Sequence, residues 1–442
     1  MPRNKKKPKT PSDDAHSQQE KKPLRDVQPL PNVLLTNGRF PVALDLARQL
    51  TLAGCHVYCV DPMQYHICRF SRVVKASKVV PAPRSDPNGY VKGVVEAIHM
   101  WDIQLVIPIH EEEFCLAYAE EPEIQEKLFA PSWELLLRLH SKWEFSNMMQ
   151  RFQLDVPNTH LCSCICDIEN LDRSREWAIK PVFGRANTNV YHLRPGEPIP
   201  NIYITSKDQY IAQEWIYGTR YCSYSVFQHG SLQAHGTYPV LETIDGSSCV
   251  YFEACNHPKI KEYVERLAAQ LFPLHGQIGL DFIETENRLV AIDCNPRATS
   301  GIHLWSKTPF LACTMIGRAE GVSIGPPHTL LGYEVQKEVL PGMLMWEHKN
   351  VTLKRYLRHI WRVIKAQDVV WNWLDLMPSL ASPFLLTYYY KLCHRHKLTL
   401  PELFQWDLIW EPSDEQLNRL RSSQRRLVED ESEEAQPTHG EI

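Results

Sequence analysis

The sequence predicts an α/β domain built on a parallel sheet, then an α+β domain of mostly antiparallel strands, then a C-terminal helical extension. Three observations carry that reading. Residues 33–61 run strand, turn, helix, strand. From residue 176 to 295 short strands dominate, interrupted by one helix. Residues 331–412 return to helical periodicity with many aromatics. The expected boundaries are 31–128, 129–330 and 331–412, flanked by a basic tail (1–30) and a partly disordered acidic tail (413–442).

The elements follow in order. Residues 1–30 are polar, Lys- and Pro-rich and aperiodic, and a disordered tail is expected. Val33 to Leu35 form a short apolar strand, Asn37-Gly38 makes the turn, and helical spacing runs from Pro41 to Leu52 before Gly54 stops it. HVYCVD then gives a second strand ending in Asp61. The turn holds one glycine rather than G-x-G-x-x-G, which disfavours a dinucleotide site. A strand over 104–109 runs into His110 and three glutamates, either a ligand-facing loop at the sheet's carboxyl edge or a solvated helix start. A helix over 133–140 leads to the strand-rich part, whose single helix is expected over 258–271.

Composition bounds the function. With 442 residues, 43% of them hydrophobic, the chain should hold two or three domains with sizeable cores. Glycine is scarce at 19 against 32 prolines, which argues against long phosphate-cradling glycine loops. The net charge of -4 is uneven: residues 1–30 hold eight Lys/Arg against four acids, and residues 429–442 hold six acids and no Lys/Arg. The body is left near neutral, which disfavours nucleic acid as a partner. Thirteen scattered cysteines without a paired framework point to free thiols in a reducing cytoplasm. No uncharged apolar run reaches the roughly 18 residues of a spanning helix.

The chemistry concentrates in IGLDFIETENRLVAIDCNPRATSG. It reads as two strands joined by a short turn around Glu286-Asn287. With the turn centred near 287, Asp281 lies opposite Asp293, and Asn295 shares their face. Two carboxylates so close repel each other unless a cation sits between them. Their oxygens, with the Asn295 amide oxygen, suit Mg²⁺, and Arg297 follows where it could stabilise negative charge.

Asp281 followed by Asp293, Asn295, Pro296 and Arg297 resembles the closing motif of the ATP-grasp superfamily, with Asp293 standing where that family normally carries Glu. Other pieces fall in the same order. Ser141-Lys142, then LDVPNTH, resembles the segment with the first phosphate-binding lysine, and Lys180 in WAIKPVFGR resembles the second. On a strand, Lys180 points away from Trp177 and Ile179, and a lysine buried there needs an anion. Gly184, Arg185, Ala186, Asn187 and Thr188 occupy the place of the phosphate-covering loop, here with a single glycine. Gln213-Glu214-Trp215-Ile216 resembles the inter-lobe hinge: the backbone of Trp215 and Ile216 would pair with adenine and Glu214 would accept from its amino group. No ribose-binding glutamate is evident, although Arg220 and Tyr221 stand nearby. Thr299 to Leu304 resembles a subgroup related to the carbamoyl-phosphate synthase large chain, here as a single ATP-grasp unit, and His303 reads equally as a substrate contact or a satisfied loop histidine.

The resemblance implies an ATP-dependent ligase. ATP and Mg²⁺ (with Mn²⁺ as a substitute) would be its cofactors, and Lys180 and Arg297 its catalytic residues. A small carboxylate, such as an amino acid, would be activated as an acyl phosphate and joined to an amine, releasing ADP and phosphate. The alternative is a catalytically silent nucleotide-binding protein of this fold with a regulatory or scaffold role.

Three features fall outside that scheme. Cys162, Cys164 and Cys166 alternate as on a strand, and structural thiols are favoured over a zinc site. Cys294 reads as a buried bystander. Leu353, Leu357, Ile360 and Ile364 form an apolar helical stripe beside several Lys and Arg, followed by 15 uncharged residues over 376–390. For residues 351–392, a subunit interface (in a homodimer) or a cap on the ATP-grasp core is favoured over docking on an anionic membrane surface.

Overall fold

A computed structural model describes residues 30–184, 189–244, 246, 248–319, 323–328, 334–345 and 352–419. The 1–29 part of the basic tail, Arg185 to Thr188 and the acidic end from 420 lie outside the described residues. From Pro31 on, the chain forms a single unit.

Strands β1 (Asn32–Leu35), β2 (His56–Asp61), β3 (Val74–Val79) and β4 (Leu105–Ile107) make an all-parallel sheet in the order β3-β2-β1-β4. Alternation along β1 serves both faces, as a helix-covered parallel sheet requires. Val33 and Leu35 join the cluster of helix Pro41–Leu52, whereas Leu34 joins that of helix Pro87–Met100. At the β1 turn, Asp61 accepts the Gly38 N–H at 2.9 Å. A Cβ on Gly38 would stand 2.3 Å from the His66 ring. The glycine therefore answers to side-chain packing, in a turn whose amide is already satisfied by the protein.

The next part holds two antiparallel sheets. The first contains β5 (Thr159–Cys162), β6 (Trp177–Pro181), β7 (Tyr191–Leu193) and β8 (Tyr210–Glu214), ordered β5-β8-β6-β7. Strands β9 (Thr219–Gln228) and β10 (Ser231–Pro239) belong to the second. After a small hairpin of β11 (Thr243–Ile244) and β12 (Ser248–Cys249), and β13 (Tyr251–Glu253), the second sheet is completed by β14 (Gly276–Glu284) and β15 (Leu289–Asn295), in the order β10-β9-β14-β15. Ile278, Leu280 and Phe282 of β14 pack on helices Lys142–Arg151 and Pro258–Gln270, which leaves Asp281 and Ile283 on the opposite face.

The C-terminal extension is helical, but it adds β16 (Gln336–Glu338) and β17 (Gln367–Asp368) to a third small sheet with β13. Much of it docks on the parallel-sheet part instead of capping the antiparallel sheets. Buried Arg39 binds Asp61 at 2.7 Å and Asp407 at 2.6 Å, Arg48 binds Asp375 at 2.9 Å, and Trp410 stacks on Phe114. Burial disfavours the Arg39 charge, but Asp61 and Asp407 outweigh it and raise its pKa.

Two local expectations fail. The Cys162-to-Cys166 strand stops at Cys162; Cys164 and Cys166 are disulfide-linked, and a short helix, Ile165–Glu169, follows. Asp167 accepts the Ser163 and Cys164 N–H groups, and that capping outcompetes strand geometry. Glu111, Glu112 and Glu113 form neither a solvated helix start nor an open loop: all three are fully buried. Glu112 accepts from the Ile109 and His110 N–H groups and the Thr36 hydroxyl, and Glu111 accepts from the Trp410 N–H, so the extension itself covers Glu111.

Replacing Arg39 by Leu strands two buried carboxylates. A loss of about 3–5 kcal/mol is expected, read as a lowered urea midpoint. An unchanged midpoint would show that the Asp407 contact does not hold the extension in place.

Candidate active site

A cavity of about 590 Å³ opens between the two antiparallel sheets. Period-two alternation brings its lining together. Trp177 and Ile179 of β6 enter the core, so Ala178 and Lys180 face the cavity; β14 contributes Asp281 and β15 contributes Asp293 and Asn295. Lys142 arrives as the first residue of helix Lys142–Arg151, whose Ser141 cap accepts the Glu144 N–H at 3.3 Å.

Asp281 lies opposite Asp293, as the alternation predicts, but the turn alone does not produce that register. The hairpin closes with Glu284 opposite Leu289, a register that would set Asp281 against Ile292. A β-bulge at Ile292 inserts one residue and moves Asp293 into place. The same bulge turns the Ile292 carbonyl toward Lys180 Nζ, 3.4 Å away.

Charges in the cavity are nearly balanced. Lys142 Nζ donates to both Asp293 oxygens at 2.9 Å and to the Gly184 carbonyl at 3.0 Å. Burial, helped by nearby Lys142, pulls the Lys180 ammonium down to about 8 against the attraction of Asp293 and Asp281. Burial first, and then Asp293, pushes the Asp281 carboxyl above its ordinary value. The Cys222 thiol on β9 donates to Asp281 at 3.0 Å, and the Asn295 amide approaches the same carboxylate at 3.5 Å. The donor set fits an anion together with a hard cation: a buried ammonium that, among the described residues, has only a long carbonyl contact, and carboxylate and amide oxygens from Asp281, Asp293 and Asn295.

Lys142, Lys180, Gly184, Glu214, Trp215, Ile216, Asp281, Asp293 and Asn295 all line the one cavity. Arg185 and Asn187 lie outside the described residues. Arg297 is held beside the cavity wall, donating to the Asn295 side-chain oxygen at 3.2 Å and to the Ala298 carbonyl. At the hinge, the Trp215 N–H is taken by the Glu176 carbonyl at 3.0 Å, and Glu214 accepts from the Asn158 N–H and Arg288. The Trp215 ring stacks on His192 with centroids 3.6 Å apart, while His192 and the Tyr217 hydroxyl both reach Glu176. His192 and Cys222 escape sequence reasoning because only strand pairing brings them here, and Tyr217, next to Ile216 in the hinge, is not among the residues that reasoning names. His303 is buried against Asp45 at 2.8 Å and Cys294 is buried in the core, so both are satisfied packing residues.

Residues 139–301 match the family model described as the ATP-grasp domain. This segment is an ATP-grasp domain. About two thirds of the chain shares its fold with solved structures at low identity. One is the carboxyaminoimidazole ribonucleotide synthase of Aspergillus clavatus complexed with ATP, at 12% identity over 70% of this chain and 82% of that one, with a TM-score of 0.55. Another is the biotin carboxylase of Campylobacter jejuni, at 15%, 69%, 74% and 0.52 in the same order. A third is the L-amino acid ligase of Bacillus licheniformis, at 13%, 66%, 75% and 0.51. No curated protein matches the chain in sequence.

The ATP-grasp cavity yields a pH prediction. Lys180 titrates near 8 before an anion arrives, and an adjacent anion raises that value. Above about pH 8, MgATP binding should therefore take up a proton, and affinity should fall by up to about tenfold per pH unit. Calorimetry in buffers of different ionisation heat measures the uptake, and Lys180→Arg, which stays charged, should flatten the profile. A flat profile in the native protein would reject this role for Lys180.

Proposed function

We propose that the chain is an ATP-dependent ligase (EC class 6) that activates a small carboxylate, such as an amino acid, and joins it to an amine. The observation that carries this reading is the convergence of Lys142, Lys180, Asp281, Asp293 and Asn295 on one cavity of the ATP-grasp domain. The similarity to structures named as an amino acid ligase and a carboxyaminoimidazole ribonucleotide synthase supports the same reaction class.

Lys142 and Lys180 would hold the phosphates, Glu214, Trp215 and Ile216 the adenine end, and Gly184 with Arg185 and Asn187 the loop over the phosphates. Because the Trp215 N–H is engaged by Glu176, the Ile216 backbone would carry more of the adenine recognition. Asp281, Asp293 and Asn295 would bind Mg²⁺, or Mn²⁺ in its place, an ion that neutralises phosphate charge and orients the transferring group. A carboxylate oxygen of the substrate attacks the γ-phosphorus, and the bond to the leaving ADP oxygen breaks. The amine then attacks the acyl carbon, loses a proton and expels phosphate. Lys180 would stabilise charge on the transferring phosphoryl group, and Arg297 the oxyanion of the second step.

Both substrates are small molecules, and the near-neutral body supports no role for nucleic acid. The free cysteines, eleven among the described residues, fit a cytoplasmic setting, whereas the Cys164–Cys166 disulfide does not add to that reading. Among the described residues, no helix is long and apolar enough to cross a membrane.

ADP release measured across a panel of carboxylates paired with amines tests the proposal. Asp293→Ala should lower the rate at least about a hundredfold, because it removes a metal ligand and frees Lys142 from its partner. Tight MgATP binding without turnover on any pair would overturn the ligase reading in favour of a silent nucleotide-binding protein.

A further inference from the structure

Helix Leu353–Lys365 has the sharpest amphipathic pattern among the described helices, and only His359 is buried. Its apolar positions repeat at i, i+4, i+7 and i+11 through Leu353, Leu357, Ile360 and Ile364, which puts them in one stripe. Such a stripe ordinarily faces a core. Here it faces outward: Ile364 is 72% exposed and neighbouring Trp361 61%. The helix leans on the protein by another side, through His359 and Arg362 against Glu242. At about 100° per residue, that side lies roughly between a third and a half of a turn from the stripe. The loop after β17 adds more exposed apolar surface, with Trp373 77% exposed beside Leu374.

The charges around this surface identify its partner. Residues 352–376 contain five Lys/Arg and two acids, and one of the five, Arg362, pairs with Glu242. Neither acid is available to a partner: Asp368 accepts the Leu340 and Trp371 N–H groups, and Asp375 pairs with buried Arg48. Lys354, Arg358 and Lys365 are exposed on the helix that carries the stripe. A two-fold dimer through this face would bring one basic rim onto another, and like charges oppose such an interface. An apolar stripe of Leu, Ile and Trp with a basic margin instead matches an anionic lipid surface, where the apolar side chains enter the acyl boundary and Lys and Arg reach the headgroups.

We propose that helix Leu353–Lys365, with the Trp373 loop, docks the protein in-plane on anionic membranes. This binding is peripheral and independent of the ligase reading. Flotation of the full-length protein with phosphatidylcholine vesicles, with or without phosphatidylserine, tests it. Binding should be at least about tenfold tighter with phosphatidylserine and should weaken in high salt. Leu357→Glu/Ile364→Glu, at exposed positions, should abolish flotation while leaving MgATP binding and the melting temperature unchanged. Lys354→Glu/Arg358→Glu should remove the preference for phosphatidylserine.

Failure of the native protein to float with phosphatidylserine vesicles would overturn the proposal. Equal binding to both vesicle types would overturn its electrostatic half. If light scattering shows a native dimer that Leu357→Glu/Ile364→Glu converts to monomer, the face belongs to a second copy and the proposal fails.

Discussion

Two carboxylates set facing each other inside a protein cost free energy unless cations stand beside them, and the ATP-grasp cavity is organised around that cost. Asp281 and Asp293 oppose each other across β14 and β15, and Lys142 closes on Asp293 through both oxygens. Lys180, buried beside them, has no comparable partner among the described residues and loses much of its basicity. The arrangement is self-neutralised but frustrated: Asp281 is pushed toward its neutral form and Lys180 toward its own. A ligand that brings a divalent cation and an oligophosphate relieves both strains at once, because the carboxylates gain a cation as the lysines gain anions.

The rest of the domain keeps those four side chains from relaxing apart. Ile278, Leu280 and Phe282 fix β14 against two helices, so Asp281 has no freedom to turn outward. The bulge at Ile292 corrects a register that the turn sets one residue short. Ser141 caps the helix that begins with Lys142, and the Lys142 N–H donates to the Val182 carbonyl at the end of β6. The two lysines thus come from adjoining backbone segments, which explains how Lys142 and Lys180 reach one cavity.

What could be read in the sequence was whatever has a period. The parity of Asp281, Asp293 and Asn295, the helix Pro41–Leu52 and the amphipathic stripe all repeat at 2 or 3.6 residues. What could not be read depends on contacts between distant segments. Arg39 meets Asp407 across 368 positions, and no local pattern marks either residue. The buried glutamates at 111–113 look like a solvated helix start until the Trp410 N–H is known to cover Glu111. The Cys164–Cys166 link escaped because alternating cysteines read as a strand, whereas Asp167 capping turns the chain into a short helix. At the hinge, residue types suggested contacts for Trp215 and Glu214, but the backbone had already committed the Trp215 N–H to Glu176.

The C-terminal extension shows why periodicity alone cannot name a partner. An apolar stripe is the same pattern whether it faces a core, a second subunit or a bilayer. In helix Ser382–His396 the protein answers the question itself: Leu385, Tyr389 and Cys393 are buried, and Tyr65 meets Phe384 and Tyr388 edge-on. Helix Leu353–Lys365 has a sharper stripe, yet among the described residues the protein covers little more of it than His359. The difference lies in charge. The first helix is held where Arg39 and Arg48 find Asp407 and Asp375, so buried ion pairs fix that part of the extension to the parallel-sheet part. The second keeps Lys354, Arg358 and Lys365 exposed beside its stripe, and the proposed lipid surface would supply both negative charge and an apolar layer.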